Sequence, residues 1–222
     1  MRKVLIAVVA LVVLLVGGSW FYIKVIEGDP PPKLTIDSTS ETTVKTAADD
    51  GTTDGTWKAS SASITQYRVR ETLFGASTDA VGKTNQITGS MVINGTTVST
   101  AKFTVDMTSV SSDRSQRDGQ FQGRIMNTSQ FPTAGFELTT PITLSSVEMD
   151  KEITATATGK LTLHGVTKTV TFDVTAKRVS GAIKVNGSIP VHFSDYSINN
   201  PSGGPAQVGD DGTLEFTLVF TR

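Results

Sequence analysis

The sequence predicts an all-β domain of antiparallel strands behind one N-terminal transmembrane helix. Three observations lead there. Apolar and polar residues alternate with period two through most of the chain after Trp57. The 222 residues include 34 Thr and 20 Gly, a mix that favours pleated strands and tight turns over helices. The third observation is an uncharged stretch of 20 residues, Val4 to Ile23. At this length the chain has room for one domain with appendages.

The uncharged stretch follows Met1-Arg2-Lys3, and at ~1.5 Å of rise per residue it spans ~30 Å, the thickness of a bilayer's hydrocarbon core. Gly17-Gly18-Ser19 resembles a signal-peptide cleavage site, but Trp20-Phe21-Tyr22 sits where an interfacial aromatic belt lies and favours an uncleaved anchor. Arg2 and Lys3 keep the N-terminus cytoplasmic, so the expectation is a single-pass plasma-membrane protein with its domain outside; secretion after cleavage is the alternative. Residues 1–24 are assigned to the anchor. Residues 25–56, with Pro30-Pro31-Pro32 and then much Thr, Ser, Asp and Gly, read as a disordered tether with too few apolar residues to bury a core. Residues 57–222 are left for the domain.

Within it, Ile87, Gly89, Met91 and Ile93 alternate up to Asn94-Gly95, a favoured two-residue hairpin turn, and Phe103, Val105 and Met107 follow on the next strand. The period then breaks from Ser111 to Phe131. Ser112-Asp113 there can cap a short helix that presents Phe121 and Ile125 on one face, and Pro132 ends it. Phe136 and Leu138 mark a short strand. The clearest alternation runs from Ile153 to His164, and a turn at Gly165-Val166-Thr167-Lys168 leads to Val170, Phe172, Val174 and Ala176. Ile183 to Phe193 and Leu214 to Phe220 complete the set. Strict alternation buries one face of each strand and excludes a parallel α/β sheet. About eight or nine strands make a closed barrel or a two-sheet sandwich. Ala155, Ala157, Gly159 and Gly89 on inward positions favour a barrel with internal space, unless larger neighbours fill it.

Composition excludes much chemistry. Twenty Lys plus Arg against 21 Asp plus Glu leave a net charge of -1, which argues against nucleic acid as a partner. No cysteine is present, so disulfides, thiol nucleophiles and Cys-based metal sites are out. His164 and His192 lie on the wet parity of their strands and read as exposed. No P-loop, dinucleotide fingerprint, nucleophile elbow or H-E-x-x-H occurs, and neither a cofactor nor an enzymatic activity is expected. The sequons at Asn94, Asn127 and Asn186 arise readily from turns.

Three segments together resemble the YceI-like family of polyisoprenoid-binding proteins. They are Arg117-Asp118-Gly119-Gln120-Phe121 with its following Gln130-Phe131-Pro132, the hairpin Leu161-Thr162-Leu163-His164-Gly165-Val166-Thr167-Lys168, and Asp195-Tyr196-Ser197-Ile198, with Ser197 where glycine is usual. The resemblance implies a lipocalin-like antiparallel β-barrel with a short helical segment, whose apolar lumen holds an isoprenoid or other long-chain lipid. The residues expected to line that lumen are Ile87, Met91, Phe103, Val105, Phe121, Ile125, Phe136, Leu161, Leu163, Phe172, Val174 and Phe216, with Phe121 and Ile125 on a lid over one mouth. The functional expectation is a membrane-tethered, extracytoplasmic lipid-binding protein. A stalked cell-envelope domain for adhesion or stress protection, and a lipid hydrolase using His164 or His192, are the alternatives.

Overall fold

The computed structural model describes residues 29–39, 51–73, 75–203 and 206–222. The segments assigned to a membrane anchor and to most of the tether, 1–28 and 40–50, lie outside the described residues. The strands are β1 (Gly55–Ala59), β2 (Ile64–Leu73), β3 (Ala76–Thr84), β4 (Ile87–Asn94), β5 (Thr97–Asp106) and β6 (Ser111–Ser112). A short helix α1 (Ser115–Gln120) follows, continued by a π turn, Phe121–Ile125. Then come β7 (Thr133–Leu138), β8 (Ile142–Thr143), β9 (Glu152–Leu163), β10 (Val166–Val179), β11 (Ala182–His192), β12 (Ala206–Val208) and β13 (Asp211–Thr221).

Eight of these strands form a closed antiparallel ring in the order β1-β4-β5-β7-β9-β10-β11-β13, with β1 pairing back onto β13. The barrel therefore replaces the sandwich alternative. Closure is brief: Lys58 pairs with Thr221 and Ala59 with Phe220, after which a turn at Ser60 to Ser63 shifts the chain and β2 continues along β13. At that end of the barrel β2 and β3 take the place of β1, and β12 and β6 extend their edges. The longest pairing joins β9 and β10, where threonines on the outer face bond across strands, Thr158 to Thr171 at 2.9 Å and Thr162 to Thr167 at 2.8 Å. Threonine suits this position, a wet face that still favours extended backbone.

Two turns sit one register off the expected places. Leu163 pairs with Val166, so the β9–β10 loop is His164-Gly165, both at positive φ, and Val166 to Lys168 belong to the strand. Asn94 pairs with Thr97, which makes Gly95-Thr96 the β4–β5 loop. Both are two-residue hairpins, turns that require positive φ, supplied by His164 and Gly165 in the first and by Gly95 alone in the second.

The interior has two parts. Trp57, Ile93, Ile183 and Phe220 pack a closed floor at the end where β4 turns into β5, covered by the 139–151 loop through Leu144. Towards the opposite end, Leu161, Leu163, Phe172, Val191 and Phe121 surround open space. Of the four small inward residues, Ala155 and Ala157 border this space, but Gly159 and Gly89 do not create it. The Phe136 ring lies over Gly159 and the Phe103 ring over Gly89, so close that an added Cβ would meet ring carbons at 2.4 and 2.7 Å. An aromatic ring laid over a strand glycine is filling that position, and the expected room there is absent.

The outer face of β2, β13 and β11 departs from the sequence reading. Residues 29–39, assigned to the tether for want of apolar content, lie along this face as a strap. Polar chemistry holds them. The Leu34 amide donates to Glu215 Oε2 at 3.1 Å, Arg68 and Gln66 donate to the carbonyls of Pro31 and Pro32, Thr217 to that of Thr35, and Lys184 to that of Thr39. Beneath it Gln66, Arg68, Lys184, Glu215 and Thr217 are buried although their parity points outward, and Ile36 is covered too. Asn186, read as a weak sequon, donates to the carbonyls of Leu34 and Phe216 and so joins strap to barrel. The folded unit thus begins before residue 57.

Candidate lipid-binding cavity

Alternation on the barrel strands aims one side chain in two at the axis, and above the packed floor these side chains enclose a cavity of about 730 Å³. That is within the ~300–1,000 Å³ usual for small-molecule sites. All twelve residues expected to line the lumen border it. Ile87, Met91, Phe121, Leu161, Leu163 and Phe172 are buried, and the others are partly buried. Phe136, Phe172 and Phe216 form an edge-to-face series with centroids 5.4 and 6.0 Å apart, linking β7, β10 and β13, every second strand over that arc of the ring.

The mouth is recognisable from exposure. The lining residues open to solvent, among them Gln116, Gln120, Arg124 and Gly203, lie on α1 and its π turn and on the segment that precedes β12. Arg124 reaches across the opening to the carbonyl of Pro201 at 2.9 Å. Helix α1 is docked by the Arg-Asp pair of the first motif. Asp118 Oδ1 accepts from the Ser112 amide at 2.7 Å and from its hydroxyl at 2.6 Å, while Arg117 bonds Asp113 and, at 3.3 Å, Glu71 on β2. This fixes the π turn, so that Phe121 stacks on Tyr67 with centroids 4.9 Å apart and planes 10° from parallel. Phe121 and Ile125 do lie at this end of the cavity.

Tyr67 was missed, with the whole β2–β3 hairpin. The signal was present: Thr65, Tyr67, Val69 and Glu71 alternate with Gln66, Arg68 and Arg70, but the charged residues obscured it. Tyr67 lies against β3 where Gly82 leaves room for its ring. Burial pushes its hydroxyl up to about 12, outweighing the Arg117 guanidinium nearby. The phenol is therefore neutral across physiological pH and stands as a polar group beside the apolar wall.

The histidines do other work. His164 Nδ1 lies 3.1 Å from the Tyr196 carbonyl, which can only accept, so Nδ1 carries the proton; the ring also meets Phe131 edge-on at 4.7 Å. It is half-buried rather than exposed, a latch between the β9–β10 hairpin and the turn at Phe193–Tyr196, reinforced by Lys168 and Asp195 at 3.5 Å. His192 is exposed, as expected. The hairpin, the Phe131 that follows the first motif and the Asp195-Tyr196 segment thus converge on one latch. Ser197, at φ 55, closes the turn in the left-handed region, which is why glycine is usual there. Among the described residues no cluster of His, Asp or Glu is arranged to hold a metal ion.

A closed antiparallel ring with a packed floor, an apolar cavity and a helix at the mouth defines a lipocalin-like β-barrel. The model of the YceI-like domain matches residues 34–220, and the chain belongs to that family. Its match begins inside the strap, in agreement with the packing. Among solved structures, Burkholderia cenocepacia BcnA is 19% identical, with a TM-score of 0.57 over 72% of this chain and 98% of its own. A polyisoprenoid binding domain from Saccharophagus degradans is 14% identical, with a TM-score of 0.59 over 75% and 97%. The Campylobacter jejuni YceI protein is 16% identical, with a TM-score of 0.53 over 64% and 84%. At such identities the likeness concerns the fold alone. None of the curated proteins matches this chain in sequence.

Proposed function

We propose that the protein is a membrane-tethered, extracytoplasmic lipid-binding barrel that holds a long-chain amphiphile, isoprenoid-like in the first instance. The cavity carries this reading: its wall is aliphatic and aromatic, and the polar side chains gather at one end. Each CH₂ buried there contributes about 0.8 kcal/mol, so a long chain is held by apolar contact without catalysis, its polar end left at the mouth among Gln116, Gln120 and Arg124. The polyisoprenoid-binding description of the Saccharophagus relative supports the choice of ligand class, and the uncharged stretch 4–23 supports the tether. A fully packed interior would have favoured the stalked adhesion domain instead.

The test is organic extraction and mass spectrometry of the protein purified from residue 29 onward, since a cut at 57 removes the strap. A stoichiometric prenyl or acyl lipid is the expected result. No extractable lipid, together with no uptake of fluorescent apolar probes, overturns the proposal.

A further inference from the structure

The strap has a direction. Its C-terminal end, Thr39, is held by Lys184, which pairs with Val219 of β13; Thr35 is held by Thr217, Leu34 by Glu215, and Pro31 by Arg68, which pairs with Thr213. Traced backwards from Thr39 to Pro31, the strap thus climbs β13 from the floor towards its first residues. That end of the barrel is the one where β2 passes Glu71 under Arg117 and α1 borders the mouth. Asp29 therefore leaves the barrel on the mouth side.

From Ile23, the last residue of the uncharged stretch, to Asp29 is six residues. Fully extended they reach ~20 Å. The barrel, with strands of about ten residues at ~3.3 Å each and the tilt usual for such rings, stands ~25 Å from floor to mouth. While the strap is docked, the floor cannot come down to the surface from which residues 24–28 emerge, whereas the mouth can. We infer that the strap orients the barrel mouth-first on the bilayer, so that the partner of the α1 and β2–β3 end is the lipid surface itself and ligand passes directly between bilayer and lumen. The inference rests on the reading of 4–23 as an uncleaved membrane segment.

The absence of cysteine makes the test direct, because any introduced thiol is the sole labelling site. Ser77→Cys marks the exposed β2–β3 hairpin at the mouth end, and Thr96→Cys the exposed turn at the floor. Each full-length variant, carrying a donor dye, is reconstituted into phosphatidylethanolamine/phosphatidylglycerol vesicles containing an acceptor-labelled lipid, and vesicle association is scored by flotation. The expected result is severalfold stronger energy transfer from position 77 than from 96. Equal transfer, or stronger transfer from 96, in protein that floats with the vesicles overturns the orientation and leaves the anchor intact. Failure to float overturns the anchor reading and the orientation together. Inserting about 20 Gly/Ser residues between Gly28 and Asp29 lengthens the leash by roughly 25 Å, and the difference should vanish; its persistence means that the strap does not set the orientation.

Discussion

The two faces of β2, β13 and β11 are both covered, by opposite chemistries. Inward, Leu214, Phe216 and Leu218 meet other apolar side chains or the cavity; outward, Glu215 and Thr217 are sealed beneath the strap and bonded to its backbone. Apolar burial tolerates substitution because it has no direction, whereas a buried hydrogen-bond array leaves an orphan whenever one member is removed.

The largest effect should come from breaking the polar side. Glu215 is 3% exposed and receives Arg68 Nε at 2.9 Å, Gln66 at 2.6 Å and the Leu34 amide. Glu215→Ala leaves a buried guanidinium short of a carboxylate and should cost about 3 kcal/mol in denaturant unfolding, with the strap becoming protease-sensitive. A loss under 1 kcal/mol would show the array to be dispensable.

On the lumen side the expected effect depends on pH. Tyr67 ionises near pH 10 in an unfolded chain but is pushed up to about 12 by burial in the fold. Its contribution is therefore fully present below pH 10 and fades as pH rises towards 12, a loss of roughly 2 kcal/mol that Tyr67→Phe should abolish. Identical alkaline unfolding of the two proteins would contradict this placement.

Filling the cavity sharpens the contrast further. Ala157→Leu adds volume beside open space, so it should change stability by less than about 1 kcal/mol while weakening uptake of an apolar fluorescent probe at least tenfold. A comparable enlargement at Ile93 in the closed floor, 2% exposed, should cost about 1–3 kcal/mol in thermal unfolding and leave probe uptake alone.

The same contrast explains what the sequence could and could not tell. Seven of the eight ring strands, the helix at the mouth and the lumen wall were legible because apolar alternation encodes which way a side chain points; the short β1 was not. Gly159 and Gly89 misled because a missing side chain looks the same whether a ring or a void lies above it. The strap was illegible for a deeper reason: Pro31, Pro32, Leu34, Thr35 and Thr39 are held by their backbone carbonyls and amides, which every residue possesses. Arg68, Lys184 and Glu215 sit at wet parity and gave no sign of being covered. His164, read as exposed, shows the same blindness to long-range contacts. The smallest predicted effect lies at that latch. Ser197→Gly relieves a left-handed residue and should raise unfolding stability by about 0.5–1 kcal/mol, without altering probe uptake.

A hoop parts at its shortest joint. Twelve residue pairs bind β9 to β10, but two bind β1 to β13. Any swelling of the ring around a bulky occupant is therefore concentrated at one seam instead of being shared around the circumference, and the occupied protein should exchange the amides of Gly55–Ala59 faster than those of any other ring strand. The barrel behaves less like a pipe of fixed bore than like a clasped cuff.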